Sequence, residues 1–279
     1  MKGGAKYPVR LQYTKRGKVR WISHRDIARA FERAFRIEQL PLAFTEGFSP
    51  RPKVSFGLAL STGYESDAEY LDLELSHEVD LDTLPIALSD VLPPGIVVVV
   101  AAPLADRAPA LMDAVTAVEW NVVVGADDGE PLAADALRAM IDDALRRDEL
   151  VTTRRRKGRD VSENVRPVVS RMVVQHTVED GVLCTMELRT QPRSAKPGDV
   201  LAAIASAAAF DRGLAEVHVL RTHQWIERDG ARLEPLRADT RPRVEPARET
   251  SKGVLDVQRT PDAGELAGVA ARRGDEHSA

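Results

Sequence analysis

The sequence predicts an α+β fold in which one strand–helix–strand–strand–helix–strand unit is used twice, followed by a disordered C-terminal tail. Three observations carry that prediction. Apolar residues alternate with polar ones in several short runs, which marks strands half-buried on one face. Residues 23–36 repeat apolar positions at helical spacing. The same order of elements then returns after a linker carrying Pro103 and Pro109. That order is the split βαβ, ferredoxin-like plan. The expected domains are residues 8–102 and 118–228, with residues 236–279 as the tail.

In the first unit, residues 9–14 read as a strand and Lys15-Arg16-Gly17-Lys18 as a turn whose glycine takes the awkward φ. Residues 19–22 read as extended. Ser23 is a natural N-cap, and Asp26 stands in the capping-box position three residues on. Ile27, Ala30, Phe31, Ala34 and Phe35 form the apolar stripe of the helix, and Arg25, Arg29, Arg33 and Arg36 lie on another face. Leu40-Pro41 ends it.

Residues 47–53, GFSPRPK, are a loop held extended by two prolines. A strand with Val54, Phe56, Leu58 and Leu60 on one face should follow. Residues 70–75 alternate again, with Leu71, Leu73 and Leu75 inward and Tyr70, Asp72 and Glu74 outward. Residues 80–91 read as a helix and 96–101 as a buried β-branched strand. The second unit comprises strands at 118–124, 168–177, 182–190 and 216–225, with helices at 132–147 and 198–210. Beyond about residue 235 large apolar residues are few, too few to offset the entropy of ordering.

Composition limits the function. The apolar runs fall far short of the roughly 18 residues of a membrane span, and no secretory signal is visible, so a cytoplasmic protein is expected. The lone Cys184 excludes an internal disulfide, a Cys-rich zinc site and a three-cysteine iron–sulfur cluster; it reads as a buried strand thiol. Charge is unevenly spread. Residues 1–60 hold 13 basic and 4 acidic side chains, a net of +9, whereas residues 61–150 hold 4 and 20, a net of −16. A basic first third suits an anionic partner.

Several spaced blocks carry a resemblance. Trp21-Ile22-Ser23-His24-Arg25-Asp26, Leu40-Pro41, residues 46–53 (EGFSPRPK) and Glu69-Tyr70-Leu71-Asp72 resemble the radical-SAM-linked family, a bacterial domain of unknown function, over residues 8 to 225. The resemblance implies a stand-alone actinobacterial form. It also implies association with a separate radical SAM protein or a ribonuclease E/G. This chain has one cysteine and so holds no Cys-x-x-x-Cys-x-x-Cys of its own.

Nucleic-acid binding is the site reading the residues favour. A first basic surface is expected from Lys15, Arg16, Lys18, Arg20, His24, Arg25, Arg51 and Lys53, because clustered cations bind phosphates and release counterions. Tyr13, Trp21, Phe44, Phe48 and Tyr64 lie nearby in sequence, and any that is exposed can stack on an unpaired base. The surface is expected to be assembled from three segments, the 15–18 turn, the His24 helix start and the 51–53 loop, and not to be a pocket. A second basic patch is expected at Arg154, Arg155, Arg156 and Lys157, on a mobile loop.

His24, at a helix start, reads first as a positioning residue and second as a general base of a metal-independent RNA-processing enzyme. Glu65, Asp67 and Glu69 should lie in a connecting loop. With Asp72 and Glu74 they read as a solvated or ion-paired set, not a metal site. His176, His218 and His223 read as structural. No cofactor, metal or catalytic residue is assigned. The leading reading is a non-catalytic RNA-binding adaptor acting with an RNA-modifying or RNA-processing enzyme. The alternatives are the His24 enzyme and a protein-interaction module without nucleic-acid binding.

Overall fold

The period-two pattern of the first strand becomes β1 (Tyr7–Lys15), which buries Val9, Leu11 and Tyr13 on one face. Against that face lies α1 (His24–Ile37), whose stripe of Ile27, Phe31, Ala34 and Phe35 is buried. Each phenylalanine fully removed from water stabilises by about 1.5–3 kcal/mol, so this stripe fixes the helix to the sheet. The Ser23 hydroxyl accepts from the Asp26 N–H at 3.2 Å, which starts the helix. Gln39 at φ +50° ends it, with Leu40 N–H donating back to Phe35 O. The structure, a computed structural model, describes residues 6–105, 107–156 and 158–240.

The remaining elements are β2 (Val54–Phe56), β3 (Glu65–Leu75), α2 (Leu84–Val91), β4 (Ile96–Pro103) and the short α3 (Leu111–Ala114). Then come β5 (Ala117–Ala126), α4 (Ala134–Arg146), β6 (Val151–Arg156), β7 (Arg159–Asn164), β8 (Val169–Val178) and β9 (Gly181–Arg189). α5 (Pro197–Ala207), β10 (Leu214–Arg228), β11 (Ala231–Leu233) and α6 (Pro235–Asp239) complete the elements of the described residues. The result is a mixed α+β fold with one nine-stranded, mostly antiparallel sheet. Its order is β4-β1-β3-β10-β5-β9-β8, with β2 on β3 and β11 on β10. The first half contributes β4, β1, β3 and β2. The second contributes β10, β5, β9 and β8. They join where β3 and β10 run parallel, at Glu65–Leu220 and Ser66–Arg221. Each half has its own core, one around Phe31, Leu71 and Leu88, the other around Val122, Ile141, Met186 and Ile204. No helix among the described residues is long and apolar enough to cross a membrane.

Several expectations are corrected. Residues 19–22 are not extended; Gly17–Trp21 is a 3₁₀ turn. It is tied down because Arg16 N–H donates to Gly95 O, and Gly95, at φ +98°, has no room for a side chain against Arg16 O. The strand after the proline loop stops at Phe56, since Gly57 N–H bonds to Tyr70 O and the chain then turns away. β3 begins at Glu65, so Glu65, Asp67 and Glu69 stand on a strand and not in a loop. Tyr70 points away from Leu71 but is not in water: it packs with Ala68 and Leu111 on the second face. α2 begins at Leu84, later than expected, with Pro85 in its first turn.

The tail boundary also moves. α6 covers the second face of the sheet, where fully buried Arg10 binds Asp72 and Asp239. The remainder of the expected tail, residues 241–279, lies outside the described residues.

Candidate nucleic-acid interface

The first expected segment folds inward. Lys15 is 3% exposed, and its ammonium donates to Arg20 O and Ile22 O at 3.1 and 3.3 Å. Burial pulls its pKa below the ordinary lysine value. Arg16 makes a two-pronged bond to Asp67 and reaches Glu65. Glu65 also accepts from Gly17 N–H at 2.8 Å and lies 3.1 Å from His218 Nε2. Burial would raise the Glu65 pKa, but the Gly17 N–H and His218 outweigh it and hold it below the usual value. Arg20 lies 3.5 Å from Glu65 and 5.2 Å from the Trp21 ring centre. Of the expected cations here, Lys18 stands exposed.

The second segment faces outward. His24 and Arg25, at the start of α1, are exposed, and the His24 ring meets Phe56 edge-on at 5.3 Å. Arg29 is exposed and pairs loosely with Asp26 at 3.5 Å, an ion pair of little energetic weight. Trp21 is 63% exposed and rests against Gly63, where an added Cβ would come within 3.1 Å of the indole.

The third segment, residues 42–54, lies back along β3. Ala43 N–H bonds to Glu74 O, Glu74 N–H to Lys53 O and Lys53 N–H to Ala43 O. Thr45 and Arg51 close the loop, through Thr45 N–H to Arg51 O and Arg51 N–H to the Thr45 hydroxyl. The tip therefore projects from a braced base, carrying a fully exposed Phe48 beside Gly47 at φ +124°. Phe44 is 54% exposed and Arg51 is exposed. Lys53 is spoken for: its ammonium binds Glu74 at 2.9 Å.

Between α1 and this loop runs a groove of about 970 Å³, so the expectation of a surface without a pocket is corrected. Phe35, Leu40, Val54 and Phe56 form its floor, with Phe44, Arg36 and Arg51 also lining it. Glu32 is the carboxylate in its wall.

The second basic patch is not a loop between helix and strand. Arg154, Arg155 and Arg156 lie on β6, which pairs with β7 as a separate two-stranded arm, Arg154 opposite Val161 and Arg156 opposite Arg159. Lys157 lies outside the described residues.

Two of the named aromatics, Tyr13 and Tyr64, are buried and cannot stack on a base. His218 and Arg221, unremarkable in sequence, prove central to the junction of the halves. Arg221 is 3% exposed and binds Glu69, Leu58 O and Ala59 O. Their signal was the alternating acids of β3, which need partners once buried. His223 stacks on Trp225 and lies 3.4 Å from Glu119. Cys184 is buried, which pushes its thiol up to about 12.

No curated protein matches this chain. Among solved structures it is similar to the archaeal box H/ACA sRNP Nop10–Cbf5 complex, at 10% identity and a TM-score of 0.41, covering 77% of this chain and 47% of that one. It is also similar to a Cbf5–Nop10–Gar1 complex, at 12% identity and a TM-score of 0.42, covering 77% and 48%. The chain thus spans about half the length of those it matches. Likenesses this distant assign neither fold nor function. The sequence itself does place the protein: residues 8–197 match the model of an uncharacterized protein conserved in bacteria, DUF2344, and the chain belongs to that family.

Proposed function

We propose that this protein is a non-catalytic RNA-binding adaptor that acts in the cytoplasm with an RNA-modifying or RNA-processing enzyme. The observation that carries the reading is the groove beside α1, where half-exposed Phe44 stands with the unburied Arg36 and Arg51, the fully exposed Phe48 being carried by the same 42–54 loop. Exposed large rings are a cost to a protein that does not use them. Beside arginines they provide what single-stranded RNA needs, a stacking surface and phosphate partners. The groove along α1 offers an apolar floor for an unpaired base. Lys18 and the sequence run Arg154, Arg155, Arg156 and Lys157 are further phosphate partners in this reading.

The same reading treats residues 8–102 and 118–228 as two ferredoxin-like units that share one sheet. The strand neighbours within each half support it. The radical-SAM-linked resemblance supplies the kind of enzyme the adaptor serves: a separate radical SAM protein or a ribonuclease E/G.

The test is retention of short unstructured RNA on the immobilised protein as salt rises. Retention should weaken with salt, and Phe44→Ala with Phe48→Ala should cost about 1–3 kcal/mol per lost stack. If wild-type protein holds no RNA at low salt, the proposal fails and the protein-interaction alternative stands.

A further inference from the structure

α1 separates two hollows. On one flank Ala28, Glu32 and Arg36 line the groove of about 970 Å³. On the other, Asp26, Arg29, Ala30 and Arg33 line a shallow hollow of about 390 Å³ against Val91, Leu92 and Pro93. The crest between them carries Arg25, Arg29, Arg33 and Arg36, all exposed, because spacings of three and four keep them on one side of a helix. At about 1.5 Å per residue the row is about 16 Å long.

These arginines are not neutralised as those of α4 are. On α4, Arg138 pairs with Asp135 and Arg146 with Asp143, and the helix carries a net charge of −1. On α1 four arginines meet two acids, Asp26 and Glu32, for a net charge of +2. Asp26 accepts from the Ser23 hydroxyl at 2.7 Å and from Arg29 at 3.5 Å. Arg36 Nε donates to the Glu32 backbone carbonyl and not to its carboxylate. Among the described residues Arg25 and Arg33 make no hydrogen bond or ion pair. Like charges three and four positions apart repel, so the row is a cost to the helix that a bound polyanion relieves.

The crest offers cations and no stacking ring. Phe31 and Phe35 face the core, and the His24 ring meets Phe56 on the groove side. A single strand is held by rings and cations together, since its bases are received along with its phosphates. A paired stem turns its bases inward and presents phosphates along a straight rod, which proteins grip by shape and backbone contacts. We propose that the α1 crest binds the backbone of a double-stranded RNA stem, while the groove on its flank takes an unpaired base beside that stem. The substrate class, a stem with an adjoining unpaired segment, rests on the RNA-binding reading.

The full chain is titrated by fluorescence anisotropy into three labelled RNAs: an unstructured strand, a blunt duplex and a hairpin with an unpaired tail. The tailed hairpin should bind about tenfold tighter than the single strand at about 100 mM salt. Arg29→Gln with Arg33→Gln, at exposed positions where glutamine suits a helix, should lower the hairpin's slope of log affinity against log salt by about 2. The same variant should bind the single strand as the wild type does, which also shows that it folds. A hairpin no tighter than the single strand overturns the inference and leaves the RNA-binding reading standing. So does an equal loss of slope on both RNAs in the arginine variant. Poly-glutamate that displaces the hairpin as well as unlabelled duplex does would overturn it too, because the crest would then suit an acidic protein surface. Duplex binding without single-strand binding keeps the crest and defeats the groove. If none of the three RNAs binds, the RNA-binding reading falls and the inference falls with it.

Discussion

Arg10 and Asp239 meet inside the molecule, guanidinium to carboxylate at 3.0 Å, although 229 positions separate them in sequence. Arg10 is fully buried; Asp72 holds its other edge and Asp239 also accepts from Arg228. Burial opposes the Arg10 charge, and the two carboxylates more than compensate, raising its pKa. Removing one partner of a buried ion pair costs about 3–5 kcal/mol, because the remaining charge stays buried. Asp72 still serves Arg10, so Asp239→Ala should fall near the lower end, about 3 kcal/mol in urea denaturation. A loss below about 0.5 kcal/mol, as at an ordinary surface position, would mean that α6 does not hold the sheet.

Glu65 predicts a pH dependence. Its folded pKa is depressed, so the folded state binds the proton less readily than the unfolded chain. The stability it contributes is present above the ordinary glutamate value, about 4.3, and is lost as pH falls through the lower folded value. Urea midpoints of the wild type should fall across that acid window. In Glu65→Gln the fall should be shallower, and the variant should be weaker at neutral pH, because Arg16, Arg20 and His218 lose their shared carboxylate. Parallel profiles for the two proteins would count against this account.

How far the fold is legible in sequence depends on which force set each element. The stripe Ile27, Phe31, Ala34, Phe35 announces α1 because burial and helical period agree. The same holds for β5 and β9, where alternation matches most of the observed burial, whereas β8 breaks the alternation at two register shifts. Tyr70 misleads because period two identifies the opposite face but not whether another element covers it, and α3 and α6 do. The site was half legible. Lys15, Arg16 and Lys53 look like free cations in sequence, but Asp67, Glu65 and Glu74 neutralise the last two across the sheet and Lys15 is turned into backbone carbonyls. Those pairings lie 21 to 51 residues apart, beyond any local pattern.

Cys184 should be inert in the native protein. Burial in the second core lifts its thiol to about 12, leaving almost no thiolate at pH 8. Alkylation by iodoacetamide should therefore proceed only in denaturant, at the rate of a free cysteine there. Labelling of the folded chain within minutes, read by intact mass, would contradict the placement of Cys184 between Val122 and Val174.

The interface itself makes the last prediction, because it divides the cations that sequence grouped together. Lys15 donates its ammonium inward, whereas Arg25 and Arg51 stand in solvent. A cation that contacts RNA phosphate contributes about one unit to the slope of log affinity against log salt, and one that does not contributes nothing. Arg25→Glu with Arg51→Glu should thus reduce the slope by about 2, while Lys15→Met should leave it unchanged even if it weakens the fold. Retention measured between about 50 and 200 mM salt decides the matter. An equal loss of slope in Lys15→Met would mean that the RNA meets the molecule on another surface, for an ammonium 3% exposed cannot reach a phosphate without the 3₁₀ turn opening.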